Sequence, residues 1–455
     1  MAKKKQVCLN DARTIAYEVL LRVDQGAYSD LALDGILATL PDLDVRERSL
    51  ATELVYGVLR RRANLDFILS AYSRQPIAKL EIQALWLLRL GTYQLIYLDK
   101  IPQHAAVNST VELARKLGLE RITGLINGTL RTMMREPQRV QWPTQDRPLD
   151  WLMHKLSLPR WLAQRWLNEF GAEQAGALAQ TLLQVPPTTL RVNTLKCSRD
   201  EFMAQLEAAG LEARATHYAP EGVVIERGHL RAVPDLDPEL YQMQDEASML
   251  IAHLLQAQPG DKVVDVCAAP GGKTTHVAAL TKNQATITAL DLHEKRLALL
   301  QRSAERLGAV IETAPWDMTQ PCTLFPRGSF NRVLVDAPCS GLGVLRRNPE
   351  ARWRRSEADV VRLAKLQKQI LANAAQLVAP GGLLVYSLCT TTAEESVDVV
   401  AEFLQQHAEF SQEDLRSMAP QHWQELFNAA GQLVTFTNRH ASMDCFFAAA
   451  LRRRA

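Results

Sequence analysis

The chain reads as a multidomain protein with an all-α front part, a small α+β module and an α/β part built on a mostly parallel sheet. Three observations carry that expectation. Residues 10 to about 137 repeat apolar side chains at spacings of three and four, with no alternating stretch. A polar, proline-bearing stretch, QRVQWPTQDRPLD, then breaks the pattern just past Pro137. From about Tyr241 onward, short apolar runs alternate with amphipathic helical ones, the signature of a parallel sheet covered on both faces. At 455 residues the chain exceeds what one small core can organise.

Taken in order, the front part is a helical bundle over residues 1–140, its apolar faces visible in ARTIAYEVLLRV, RSLATELVYGVL and IQALWLLRLGTYQLIYL. Asp30, Ser73 and Asn108 are expected at caps or turns between helices. The middle module, 145–240, should hold helices over Trp151–Glu169 and Ala172–Leu183, a strand in PPTTLRVNTLK, a helix over Arg199–Ala209 and a strand in GVVIERG. The last part, 241–455, should carry strands at 262–267, 286–291, 310–313, 331–336, 382–388 and 445–451. Helices at 293–307 and 358–378 fall between them, the second with Leu363, Leu366, Ile370 and Leu377 on one face.

Bulk properties exclude several classes. Hydrophobic residues make up 47% and charged residues 22%, the mixture of a globular protein. No run approaches the roughly 18 apolar residues that span a bilayer. The most apolar stretch, Ala84–Leu98, is interrupted by Arg89 and Gln94. The N-terminal MAKKKQVCLNDART has charge but no apolar core of a secretory signal, so a cytoplasmic protein without a membrane partner is expected. The seven cysteines, Cys8, Cys197, Cys267, Cys322, Cys339, Cys389 and Cys445, are odd in number and contain no C-x-x-C pair, which argues against both a disulfide framework and a zinc site. Net charge is only +2, but Lys3–Lys5, Arg60–Arg62, Arg346–Arg347, Arg352 with Arg354–Arg355, and Arg452–Arg454 form local clusters. Each suits a solvated face; together they favour a polyanionic partner.

The chemistry concentrates in the last part. VVDVCAAPGGKT is not a phosphate-binding P-loop, because the first glycine that motif needs falls on Cys267. It remains a strand, glycine turn and helix that lets backbone approach a nucleoside closely. Asp291 closes the second strand, Asp317 follows the third and Asp336 ends the fourth. Each could cap the next helix. Three carboxylates at successive strand ends better suit a cofactor with ribose hydroxyls, an adenine amine and a sulfonium, which describes S-adenosylmethionine. Cys339 and Cys389 each lie just past a strand of the same sheet, in RVLVDAPCSGLG and GGLLVYSLCT. A thiolate adding to carbon 6 of cytosine makes carbon 5 nucleophilic. A second proton-transferring group then helps the adduct break down. Only about 3% of an unperturbed thiol is ionised at pH 7, so such a site must tune its thiols.

The set DVCAAPGGKT, ALD, DAPCSG followed by RRNPEARW, and LVYSLCT closely resembles the RNA 5-methylcytosine methyltransferases related to the nucleolar proliferation-antigen and Sun families. LRVNTLK and YQMQDEAS match segments of the same families, and ELVYGVLRRRANLDFIL, LRLGTYQLIYLDKIPQHAAVN and GLINGTLR resemble a NusB-type domain. That fusion is characteristic of the bacterial family methylating 16S ribosomal RNA. The resemblance implies a NusB-like bundle, a linker module and a Rossmann-like class I methyltransferase. It implies Cys389 as nucleophile and Cys339 as assisting product release. It implies Ala268, Ala269, Pro270, Gly271, Gly272, Lys273, Thr274, Asp291, Asp317 and Asp336 around S-adenosylmethionine, with Asp336 also near the cytosine edge. No metal is implied. The target would be a specific cytosine, 967 by family analogy, in 16S ribosomal RNA, with no DNA partner and a monomeric enzyme. Arg346, Arg347, Arg352 and Arg354 are expected to meet phosphates beside the target, and Trp353 to stack on a base or lie in the core.

One departure stands out: the family usually has Thr before the nucleophile, whereas Leu388 precedes Cys389 and Thr390 follows it. The same chemistry on transfer RNA, or a non-catalytic RNA-binding factor with a decayed site, are the alternatives. The segment between Phe410 and Asn438 suggests no function.

Overall fold

A computed structural model describes residues 9–455 except 229, 231, 232, 234 and 235. Cys8 and the Lys3–Lys5 cluster lie outside the described residues. The chain forms two compact units: the part up to Val185 together with Leu345–Arg354, and Pro186–Val344 with Arg355–Ala455.

In the first unit, helices over Ala12–Asp24, Ser29–Ala38, Val45–Arg60, Arg62–Tyr72, Ile82–Tyr97, Gln103–Lys116 and Thr123–Arg135 enclose one apolar core. Ile15, Ala16, Val19, Leu20 and Val23 line one face of the first, as their spacing demands. The Ile82–Tyr97 helix buries every residue from Ala84 to Gln94 and forms the bundle's centre. Its two polar interruptions are satisfied there. Arg89 makes a bidentate pair with Asp66 at 2.7 and 2.8 Å and lies over the Trp86 ring, while Gln94 accepts from Arg13 Nε at 2.7 Å. Asp30 sits in the first turn of its helix and Ser73 at a helix C-cap, but Asn108 is inside the Gln103–Lys116 helix rather than between helices. Past the linker, a π-helical turn over Trp151–Lys155 precedes a helix over Arg160–Thr181 that kinks at Gly171, where φ is +74°. Two helical pieces therefore meet at Gly171, where the sequence places the break between Glu169 and Ala172, although the first begins at Arg160 rather than Trp151.

The second unit holds two sheets. Strands β1 (Thr188–Val192), β2 (Glu212–Ala215), β3 (Gly222–Arg227) and β4 (Tyr241–Met243) form an antiparallel sheet in the order β2-β3-β1-β4. The Arg199–Ala208 helix, opened by a Ser198–Glu201 capping box, buries Phe202 and Leu206 against it. Because β4 pairs with β1, this small sheet runs past residue 240.

The larger sheet follows: β5 (Lys262–Asp265), β6 (Thr286–Asp291), β7 (Glu312–Pro315), β8 (Phe330–Asp336), β9 (Val378–Leu388), β10 (Phe410–Glu413), β11 (Leu433–Val434) and β12 (Phe447–Arg453). Their order is β10-β12-β9-β8-β5-β6-β7, with β11 paired to β12. The five strands β7, β6, β5, β8 and β9 are parallel, whereas β12 and β10 run antiparallel at one edge. The chain reverses its direction of build-up between β5 and β8, so the carboxyl ends of those strands open a crevice at the switch point. Helices over Gly272–Leu280, Glu294–Leu307 and Glu357–Ala375 make the crossovers. Strand β10 was not legible as a strand; its FSQE mixes one apolar residue with polar ones at a sheet edge. Among the described residues no helix is long and apolar enough to cross a membrane.

Candidate functional site

Two thiols separated by fifty positions in sequence meet because β8 and β9 are neighbouring parallel strands. Asp336 pairs in register with Ser387, so the residues just beyond both strands emerge side by side. Cys339 Sγ and Cys389 Sγ lie 3.3 Å apart, and both residues are half-buried. Neither is entombed on the far face of the sheet.

Three side-chain and backbone ties hold the two loops together. Glu395, fully buried, accepts from Ser340 N at 2.8 Å, Gln367 Nε2 at 3.0 Å and Thr392 Oγ at 2.8 Å. Ser340 Oγ donates to Thr390 Oγ at 3.1 Å. Gly343 N donates to Cys389 O, and Cys445 N to Gly343 O. A Cβ on Gly343 would stand 1.9 Å from Cys445 O, so only glycine permits this approach. Glu395 and Gly343 were missed in the sequence, although both sit in or beside the motifs that carry the thiols. Leu388 is fully buried in the apolar core, and the hydroxyl expected before Cys389 is supplied one position after it by Thr390.

The electrostatics separate the two thiols. The hydrogen bond with Cys389, then burial, push the Cys339 thiol well above the ordinary cysteine range, and the nearby Glu395 adds to that. These surroundings favour the neutral Cys339 thiol. Lys273 Nζ pairs with Asp336 Oδ2 at 2.7 Å, while Ser387 Oγ donates to Asp336 Oδ1 at 2.9 Å. Burial works against the Lys273 ammonium, but Asp336 and then the Cys389 sulfur outweigh it, and the net shift is upward. A cation is thus held beside Asp336 and close enough to feel the Cys389 sulfur.

The glycine turn stands beside this pair. Gly271 caps the Gly272–Leu280 helix with φ +102°, where a Cβ would lie 2.7 Å from the Leu300 side chain. Ala268 and Ala269 are nearly buried, and Pro270 is exposed. Thr274 turns inward, its hydroxyl donating to Asp265 Oδ2 at 2.7 Å. Asp265, a buried carboxyl at the end of β5 that sequence reading passed over, is raised to about 7 by burial, with Asp336 adding to the effect against the Thr274 hydrogen bond. The rule that singled out Asp291 and Asp336, a carboxylate at a parallel strand's end, would have found it. Asp291 accepts from Ala269 N at 3.2 Å and His293 N at 3.0 Å, one bond on each oxygen. Each oxygen keeps a lone pair for a hydroxyl. Asp317 accepts from Thr319 N and Oγ beyond β7, one strand further out. This donor set of carboxylates around a side-chain-free turn fits a ribose, an amine and a sulfonium.

The basic segment after Cys339 is placed differently from expectation. Arg346 and Arg352 are buried at 2% and 0% exposure, with Arg352 donating to Ser157 O and Leu345 O. Arg354 caps the carbonyls of Val23, Gly26 and Ala27. Trp353 donates to Leu59 O and carries Arg62 over its ring. Of the arginines expected to meet phosphates, Arg346 and Arg352 are therefore too deeply buried to do so, whereas Arg354 is exposed and Arg347 partly so.

Thiols, glycine turn and strand-end carboxylates on this sheet define a Rossmann-like methyltransferase. Residues 252–452 match the 16S rRNA methyltransferase RsmB/F family, residues 10–135 the NusB family, and residues 158–230 the ferredoxin-like domain of RsmF/B-like methyltransferases. The chain is 38% identical over 400 residues to the probable ribosomal RNA small subunit methyltransferase B of Bacillus subtilis, covering 88% of this chain and 89% of that one. It is 35% identical over 446 residues to the protein of the same description from Synechocystis, covering 97% and 99%. A solved structure described as PH0851 superposes with a TM-score of 0.82 at 25% identity, covering 99% of this chain and 100% of that one. The chain belongs to the 16S rRNA methyltransferase RsmB/F family, and S-adenosylmethionine is its expected cofactor.

Proposed function

We propose that this protein methylates carbon 5 of a specific cytosine in 16S ribosomal RNA, cytosine 967 by family analogy, through a transient bond between Cys389 and the base. The observation that carries the reading is the 3.3 Å contact between Cys339 and Cys389 at the ends of adjacent strands, beside the Lys273–Asp336 pair.

Cys389 Sγ adds to carbon 6, and carbon 5 becomes an enamine-like nucleophile. S-adenosylmethionine, held by the Ala268–Thr274 turn and by Asp291, Asp317 and Asp336, supplies the methyl group. Cys339 keeps its proton while a free sulfur of residue 389 stands beside it. Once that sulfur is bonded to the base it carries no charge, which removes its share of the upward push on Cys339. Cys339 then gives its own proton to solvent water and, as the thiolate, takes the proton from carbon 5. The C–H electron pair restores the ring double bond and expels the Cys389 thiolate. Asp336, held by Lys273 and Ser387, is the group we assign to the cytosine edge. The target must leave its stack to reach both sulfurs.

The test is a pair of variants with 16S ribosomal RNA in vitro. Cys389→Ala should lose both the methylated product and the protein–RNA adduct, and Cys339→Ala should accumulate the adduct. Full methylation by Cys389→Ala would overturn the assignment. Bisulfite mapping of ribosomal and transfer RNA, with and without the gene, separates the two RNA classes.

A further inference from the structure

Away from the thiols, three ligand-bearing side chains converge where the small sheet meets the methyltransferase body. Glu221 lies in the turn that opens β3, His253 in the Glu246–Leu254 helix, and His276 in the Gly272–Leu280 helix. His276 Nε2 is 2.8 Å from Glu221 Oε1, and His253 Nε2 is 3.2 and 3.1 Å from the two Glu221 oxygens. One donor atom from each of the three lies within 4.8 Å of the others. Glu221 and His276 are 4% and 1% exposed.

A second observation points the same way. His276 Nε2 faces Glu221, but its Nδ1, equally buried, has no hydrogen-bond partner. A buried imidazole nitrogen without a partner is costly unless something else uses its lone pair. Adjacent ligands of a tetrahedral zinc ion stand about 3.3 Å apart, given bond lengths near 2.0–2.1 Å. The His–Glu spacings of 2.8–3.2 Å need only a few tenths of an ångström of opening, and the two imidazole nitrogens lie within 4.8 Å of each other. His253 also lines a cavity of about 750 Å³ bordered by His217, Tyr218 and Trp423, which leaves room for a fourth ligand.

We propose that Glu221, His253 and His276 form a site for a divalent transition cation of the zinc type, with three protein ligands and a water in the cavity as the fourth. Two imidazoles and one carboxylate favour zinc over magnesium or calcium, which prefer all-oxygen shells. The neighbouring Arg191 donates to Thr275 Oγ, Gly272 O and Gln244, all neutral groups, and Glu221 is the carboxylate that acts on its charge. Binding displaces whichever imidazole proton faces Glu221 and needs no co-reactant. The ion would pin the small sheet to the helix that begins at the glycine turn. This proposal is independent of the methylation chemistry.

The test uses the full chain without a purification tag, stripped of metal and titrated with zinc chloride by calorimetry, with stoichiometry read by elemental analysis after dialysis. One zinc per chain is expected, and cobalt substitution should give a spectrum without thiolate-to-metal charge transfer. His253→Ala, at a half-buried position, should weaken binding by at least about tenfold. The double variant Cys339→Ala with Cys389→Ala should bind zinc as the parent does. Absence of binding at millimolar zinc, a thiolate signature in the cobalt spectrum, or unchanged affinity in His253→Ala would each overturn the proposal.

Discussion

At the scale of single residues, the candidate site works by unequal environments for chemically similar groups. Cys339 and Cys389 share one contact, yet the hydrogen bond, burial and Glu395 all hold the proton on Cys339. Asp265 and Asp336 both end parallel strands, yet Asp265 is fully enclosed while Asp336 has a lysine partner. The Asp265 carboxyl, raised to about 7, carries a stability consequence with a definite sign. Its contribution is fully present below the unfolded value near 3.8 and is lost as pH rises through about 7. Asp265→Asn should therefore flatten the fall in stability between pH 4 and 8, by an amount on the order of 2–4 kcal/mol. Urea denaturation at stepped pH checks it; parallel curves for parent and variant would refute the assignment. The residue types were legible, because both cysteines, Lys273 and the carboxylates stand in recognisable motifs. Which carboxyl would be neutral was not, since burial depends on what packs over it.

At the scale of elements, the decisive arrangement is the pair of loops beyond β8 and β9. Parallel neighbours bring their carboxyl ends to one edge, but strand adjacency alone leaves the loops free to diverge. Glu395 removes that freedom by tying the Ser340 backbone, Gln367 and Thr392. Glu395→Ala should leave cofactor binding near the parent value while methylation falls by about 10–100-fold, because a misplacement of 1 Å is enough for that loss. Calorimetry with S-adenosylmethionine beside a methylation assay reads both quantities; equal loss of both would mean general unfolding instead. The strands of the large sheet were readable from their apolar runs, except β10, the two-residue β11 and the shifted β7, which are too short to carry a pattern. Helix periodicity likewise marked the apolar face of Glu357–Ala375 and the break at Gly171.

At the scale of the whole molecule, the chain's order and its spatial grouping differ. Leu345–Arg354 follows the Cys339 loop in sequence but packs within the helical unit. There Glu350, 2% exposed, accepts from Ser29 N at 3.0 Å and Ser29 Oγ at 2.8 Å. Glu350→Ala would leave two buried donors without an acceptor and should destabilise the helical unit by roughly 2–4 kcal/mol. Thermal unfolding followed by far-ultraviolet circular dichroism tests this; an unchanged midpoint would show the contact to be dispensable.

By itself the sequence determined the helical bundle, the mixed module, the parallel sheet and the residue types of the site. Periodicity and motif spacing are local properties that survive without knowledge of the partner surfaces. Only the tertiary structure decided that two distant thiols touch and that Glu395 locks them. It also decided that Arg346 and Arg352 lie in the interior. Those outcomes depend on which strand lies beside which and on what each side chain is buried against, and no local pattern encodes either.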